Sequence, residues 1–319
     1  MPCQSQETNV FFNISSKIHN HPRLHPMLRT RLIVGSLLIG GLALLALIDS
    51  SAPTLWIGFM RLGPGAVLIL FSLFAFAPIL AGEFSRLMNP SAPAALTRIH
   101  FLAIFIGIAS VGVVADMVPK HLALPVVMSA PFFLVLLCAI NHARTRITTG
   151  FPNTVGGALL GYAAIGVPLG FWILLRHDRD AWTLAGAILC VKSADIGAYF
   201  TGIIIGRHKM IPWLSPGKSW EGFVGGIVLS AVVGAALASF SGTTAAANAF
   251  VDPISIGYGI FVAVTLGIVG TGGDLFESLL KRGAGVKDSG SILPGMGGLY
   301  DVFDSLLLAG PVAWWLLAN

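Results

Sequence analysis

Nine apolar runs divide this chain, at about 32–48, 65–81, 99–118, 122–140, 154–175, 182–205, 222–240, 255–272 and 303–318. A helix needs roughly 20 residues to cross a hydrocarbon core, and within lipid the backbone must satisfy its own hydrogen bonds. Continuous runs of this length predict an all-α integral membrane protein, a polytopic bundle of about nine transmembrane helices. They lack the period-two alternation of a membrane β-barrel. The chain is 55% hydrophobic and only 10% charged, which excludes an ordinary soluble globule. Its 38 glycines and 18 prolines would harm soluble helices, but they permit close packing and local breaks in membrane ones. Gly156, Gly157, Gly161, Gly166 and Gly170 predict a packing face on the fifth run. Cys3, Cys138 and Cys190 are too few and too scattered for a disulfide framework or a metal motif.

The basic residues predict an orientation. Fourteen fall on one set of loops: Lys17, Arg23, Arg29, Arg31, Arg86, Arg98, Arg144, Arg146, Arg207, Lys209, Lys218, Lys281, Arg282 and Lys287. Only Arg61, Lys120, Arg176 and Arg179 fall on the other set, and Lys192 lies inside a span. The N-terminus is therefore expected in the cytoplasm and the C-terminus on the far side. The net charge of +5 then reflects loops facing anionic headgroups and calls for no nucleic-acid partner. Residues 1–31 read as a cytoplasmic tail too long for a signal-peptide n-region, so the first run is expected to be a retained anchor. Runs one to four carry almost nothing ionisable. The chain is thus expected to divide into a transmembrane bundle for anchoring and assembly, 32–181, and a catalytic transmembrane domain, 182–319.

Ionisable groups near membrane depth are costly and commonly face a cavity, a partner or a substrate. Here they concentrate in three stretches. From Thr271 to Ser305 the chain carries Asp274, Glu277, Lys281, Arg282, Lys287, Asp288, Asp301 and Asp304 between two apolar runs. If the eighth helix continues past Gly273, Asp274 and Ser278 share a face, and Asp301 and Asp304 do the same at the start of the ninth. Two such pairs would offer the oxygen ligands that Mg²⁺ prefers. Lys281, Arg282 and Lys287 would answer phosphate oxygens. Gly295, Gly297 and Gly298 would let backbone N–H groups approach a ligand. A salt bridge from Glu277 to Lys281, at i, i+4, is the plainer role for Glu277.

The second stretch holds Lys192 and Asp195, followed by the basic run Gly206-Arg207-His208-Lys209. The i, i+3 pair either neutralises itself in the bilayer or marks the entrance of a polar pocket. The third is Ser215-Pro-Gly-Lys218-Ser219-Trp220-Glu221-Gly222, a turn that feeds a helix N-terminus, which is a natural anion site. Its spacing is not that of a Walker A loop. His21, His25, His100, His121, His142 and His177 are expected in tails or loops. No nucleophile or triad signature appears.

In this order the three stretches resemble the phosphatidate cytidylyltransferase family over roughly 190–305. The most specific part is Ser278-x-x-Lys281-Arg282-x4-Lys287-Asp288, then Leu293-Pro294-Gly295-x-Gly297-Gly298-x-x-Asp301-x-x-Asp304. The resemblance implies transfer of a cytidylyl group from CTP to phosphatidate, with CDP-diacylglycerol and pyrophosphate as products. It implies Mg²⁺, a monovalent cation such as K⁺, a nine-helix protomer, a homodimer and a bacterial plasma membrane. Residue by residue, it implies Asp274, Ser278, Asp301 and Asp304 at the metal, with Asp274, Asp301, Lys281 and Lys287 catalytic. It implies Asp195, Lys209, Ser215, Lys218, Ser219, Glu221, Arg282, Gly297 and Gly298 as substrate-binding residues. Two positions depart from the family pattern: Met296 stands where a His is usual, and Val302 where an Arg is usual.

Three rival readings make different predictions. A CTP-dependent lipid kinase would transfer the γ-phosphate rather than the nucleotide. A cation transporter would use the buried carboxylates for ion flux and consume no CTP. A non-catalytic paralogue, suggested by Met296 and Val302, would form no product.

Overall fold

The computed structural model describes residues 40–41, 44–45, 48–49, 55–57, 60–89, 94–113, 118–146, 148–243 and 253–318. The N-terminal tail, most of the first run and Asp116 lie outside them. A short antiparallel ribbon, β1 (Leu55–Ile57) and β2 (Met60–Leu62), lies ahead of the long helices. Four long helices follow: α1 (Ala66–Met88), α2 (Ala94–Val113), α3 (Lys120–Thr145) and α4 (Phe151–Asp178). Next come α5 (Ala181–Ile205), the hairpin β3 (Lys209–Ile211) and β4 (Ser215–Ser219), α6 (Trp220–Ser241), α7 (Ile256–Gly283) and α8 (Leu299–Leu317). The first seven helices are long and apolar enough to cross a membrane. The eighth has 19 residues and carries Asp301 and Asp304 near its start. This is the polytopic all-α membrane protein that the apolar runs predict. The count of nine depends on the first run, of which only 40, 41, 44, 45 and 48 are described, all helical.

Single π-helical turns interrupt α1 at Ser72–Phe76, end α2 at Ala109–Val113 and interrupt α4 at Tyr162–Gly166. Pro78 follows the first and Pro168 the third. A proline lacks the N–H that closes an α-turn and collides with the preceding carbonyl, and a wider turn accommodates both defects.

Small residues set the helix spacing. A Cβ on Gly107 of α2 would lie 2.7 Å from Cα of Gly166 on α4. Gly157, Gly161 and Gly170 likewise press on His100, Phe84 and Val111, so four of the five expected glycines form the packing face. Gly156 meets nothing within 4 Å. In the second half Gly226 abuts Ala194 O of α5, Gly234 abuts Gly259 O of α7, and Gly273 of α7 abuts the backbone of Asp304 on α8. Larger residues there would push the helices apart, and the polar side chains between them would separate.

The main core runs without a break through both halves, joining Phe84, Ile104, Ile165 and Trp172 to Leu266, Tyr300 and Leu307. Trp172 donates from Nε1 to Leu306 O at 2.9 Å, which satisfies its one polar atom within that core. Outward faces are apolar: Leu124, Met128 and Phe132 on α3 and Ile203 on α5 are all exposed. Such a surface suits lipid.

One expectation is corrected and one is extended. The first four apolar runs hold almost nothing ionisable, but α1 continues as helix beyond the run at 65–81 and takes in Glu83, which is buried. Arg176 of α4 also forms a buried ion pair with Asp49, at 2.7 Å. His100, His121, His142 and His177 lie in helices rather than loops. His100 is buried edge-on against Phe84.

Candidate active site

The hairpin, the end of α7 and the start of α8 lie together at one end of the helices. Because α7 continues to Gly283, Asp274 and Ser278 occupy consecutive turns of one helix, as expected. Asp274 and Glu277 of α7 meet Asp304 of α8, and one oxygen from each lies within 4.8 Å of the others. Glu277 is buried; its Oε2 meets the Lys281 ammonium, and its Oε1 has no hydrogen-bond donor. Three converging carboxylates, one of them with a buried oxygen that has no donor, form a donor set that suits a divalent cation.

Cations surround this trio. Lys218, at the end of β4, reaches Oδ2 of Asp274 at 2.8 Å, and its Nζ also points at Thr271 O at 3.5 Å. Lys281 pairs with Glu277 and donates to Oδ1 of Asp301 at 2.7 Å, so it links α7 to α8. Lys192 of α5 donates to Asp195 (3.1 Å), to Ser305 Oγ (2.8 Å) and to Val302 O (2.8 Å). Ser305 in turn donates from Oγ to Asp195 at 2.8 Å and from its backbone N to Oδ1 of Asp304 at 2.5 Å. The Lys192–Asp195 pair does neutralise itself, and it is also wired into the acidic cluster.

Asp301 is engaged on both oxygens. Besides Lys281, it accepts from Ser289 N (2.9 Å), Ser289 Oγ (2.8 Å) and Gly298 N (2.7 Å). This closes the 284–298 loop onto the start of α8. The loop needs its glycines. Gly295 and Gly297 have φ of +76° and +97°, which L side chains rarely adopt, and a Cβ on Gly297 would lie 2.6 Å from Oδ2 of Asp301. A Cβ on Gly298 would collide with Ser289 Oγ.

The remaining predicted residues take up distinct positions. Ser278 is buried on α7. Arg282 donates to Leu214 O and Val286 O, both at 3.3 Å, and so fastens the hairpin to the loop after α7. Ser219 caps α6, accepting from Gly222 N at 3.2 Å. Glu221 accepts from His208 Nδ1 at 2.5 Å and from the amides of Arg207 and His208. Ser215 pairs with Ile211, and Lys209 pairs with Ser219, across the hairpin. Lys209 and Glu221 line an open cavity of about 850 Å³ between α5 and α6, whose walls include Ile205, Val224 and Val228. Lys287 is exposed on the loop. Sequence reasoning missed Glu277 as a member of the trio, Ser305, Ser289 and Glu83. Only Glu277 left a signal, its i, i+3 spacing from Asp274.

Residues 44–319 match the model of the Cytidylyltransferase family. The chain belongs to this family. It is 38% identical to the phosphatidate cytidylyltransferase of Bacillus subtilis over 60% of this chain and 68% of that protein. It is 33% identical to the Mycobacterium bovis protein of the same name, over 58% of this chain and 61% of that protein. To the Haemophilus influenzae one it is 31% identical, over 76% of this chain and 90% of that protein.

Proposed function

We propose that this chain transfers the cytidylyl group of CTP to phosphatidate, giving CDP-diacylglycerol and pyrophosphate for phospholipid synthesis. The observation that carries this reading is the Asp274–Glu277–Asp304 trio ringed by Lys192, Lys218 and Lys281, in a chain of the cytidylyltransferase family. Mg²⁺ would be held by Asp274, Glu277 and Asp304, with Ser278 and Asp301 beside them. When bound it supplies charge neutralisation at the phosphates.

The chain's own residues do the rest. Lys218 and Lys281 already lie against the trio's carboxylates and turn to CTP phosphate oxygens as these arrive. Arg282 and the exposed Lys287 extend the positive field outward, over the departing pyrophosphate. The attacking atom is a phosphate oxygen of phosphatidate, already anionic, so no general base is needed. The new bond forms to the α-phosphorus of CTP as the bond to pyrophosphate breaks. Catalysis is then positioning and electrostatic stabilisation.

CTP is soluble, so the reading places this end of the helices in the cytoplasm of a bacterium, at the plasma membrane, as the fourteen-to-four distribution of Lys and Arg also suggests. The N-terminal helices would anchor and assemble a homodimer. A monovalent cation such as K⁺ would be an addition to the ammonium groups of Lys192, Lys218 and Lys281. The test is purified protein with phosphatidate, Mg²⁺ and CTP labelled at the α- or the γ-phosphorus. Lipid labelled only from the α position supports the reading. Label only from the γ position makes the chain a lipid kinase, and no label from either overturns the transferase reading.

A further inference from the structure

Glu83 is a buried carboxylate that the proposed reaction leaves unused. It sits on α1, 1% exposed, far in sequence from every group in the acidic cluster. Its two oxygens accept from the first amides of α8: Oε1 from Leu299 N at 2.9 Å and Oε2 from Tyr300 N at 2.8 Å. The Ser289 hydroxyl lies 3.4 Å from Oε2 while it donates to Asp301. The next amide back, Gly298 N, goes to Asp301. Two carboxylates thus divide the N-terminal amides of one helix between them, one from the N-terminal half and one from the helix itself.

The surroundings are shaped for this arrangement. A Cβ on Gly290 would lie 2.6 Å from Glu83 Oε1, and one on Gly298 would lie 2.7 Å from Glu83 Cδ. The first N–H groups of a helix have no intrahelical partner, and a negative charge there is favoured by the helix dipole. Asp304 lies one turn further along α8 than Asp301. Whatever fixes the rotation and depth of that first turn therefore fixes where Asp301 meets Lys281 and where Asp304 meets Asp274.

We propose that Glu83 is a positioning residue for the metal site: it clamps the first turn of α8 so that Asp304 and Asp301 point where a divalent cation needs them. The inference rests on the functional reading above only for its activity readout. Glutamine cannot replace the clamp. Its amide offers one acceptor and would turn an N–H₂ toward the second backbone N–H, which is then left buried and unpaired.

The experiment compares full-length wild type with Glu83→Gln, Glu83→Ala and Ser289→Ala. Mn²⁺ binding is read by electron paramagnetic resonance, turnover by CDP-diacylglycerol formation over a Mg²⁺ titration, and folding by thermal unfolding. Glu83→Gln is expected to weaken Mn²⁺ binding and lower kcat, each by roughly tenfold to a hundredfold, the cost of one unpaired buried donor. The KM for CTP at saturating Mg²⁺ should stay within about threefold, because the phosphate-binding cations are untouched. Ser289→Ala should move the same quantities in the same direction by a smaller factor. A folded Glu83→Gln protein with wild-type Mn²⁺ affinity and kcat would overturn the proposal and reduce Glu83 to a stability contact. If both Glu83 variants fail to fold, unchanged Mn²⁺ binding and kcat in Ser289→Ala overturns it equally. Inactive wild type would defeat the functional reading, while Mn²⁺ binding still decides the role of Glu83.

Discussion

The Lys218 ammonium lies 2.8 Å from Oδ2 of Asp274, joining the hairpin to the helix that carries two of the three clustered carboxylates. Arg282 makes a second tie between the same elements, through Leu214 O. The hairpin is therefore held over the acidic cluster by basic side chains that an arriving triphosphate would compete for.

Lys218→Gln removes one charged hydrogen bond to phosphate. Such a bond contributes about 1.5–3 kcal/mol, or roughly a tenfold to hundred-and-fiftyfold loss in kcat/KM for CTP. Combined with Asp274→Asn, the two losses should be less than additive, because each removes the partner of the other. Strict additivity in the double variant would place Lys218 and Asp274 in separate roles.

Asp274→Asn and Glu277→Gln should each leave membrane insertion intact and lower turnover by about two to four powers of ten, the scale expected when metal-borne charge is the main term. The comparison with Asp301→Asn is informative. Asp301 holds Ser289, Gly298 and Lys281, so its loss should also lower the unfolding temperature. Near-normal synthesis of CDP-diacylglycerol by Asp274→Asn would make the cluster structural.

Lys192→Met strips the cation from an oxygen set comprising Asp195, Ser305 and Val302 O. The variant should unfold at lower temperature than wild type, since removing one member leaves the other charge unanswered. Lys192→Met with Asp195→Asn should regain the stability but not the activity. If stability and activity return together, the pair serves only to neutralise itself.

Much of this arrangement was legible in the sequence, and the limits are physical. Apolar runs report the part of a helix that sits in lipid, so the helices were visible but their polar ends were not. That is why α1 seemed to stop before Glu83 and why α7 needed a condition to reach Asp274 and Ser278. The carboxylates, Lys218 and the loop glycines were visible as costly or unusual residues at membrane depth. Which carboxylates converge was not, because that depends on the Gly273–Asp304 contact between α7 and α8, a packing event no spacing rule encodes. In the sequence Glu277 reads as the i, i+4 partner of Lys281, a salt bridge it does make, and the trio is not legible there because its third member comes from another helix.

Orientation is tested with single cysteines at Val286 and Thr243 in a background lacking Cys3, Cys138 and Cys190. Both positions are exposed, one on the loop after α7 and the other at the end of α6. In sealed cells an impermeant thiol reagent should reach the residue at 243 and not the one at 286. Labelling at 286 from outside would put the acidic cluster on the wrong side of the membrane for CTP.

The two departures from the family pattern give the last prediction. Met296 sits in the tight turn where its own N–H donates to Leu293 O at 3.0 Å, and its side chain is half-buried. A flexible apolar side chain fills that space without bringing a polar group in need of a partner. Val302 packs its side chain against the main core while its carbonyl receives Lys192. Position 302 thus already has a cation at its backbone, and an arginine side chain there would have to leave the core for the cluster. Wild type is expected to be active, and the Met296→His, Val302→Arg double variant should gain less than about tenfold, under the 1.4 kcal/mol that one added charged contact would need to exceed. The measurement is incorporation of label from α-labelled CTP into lipid by the two purified proteins. Silence in wild type under every divalent ion, with activity in the double variant, would mean that these two positions had cost the chain its catalysis.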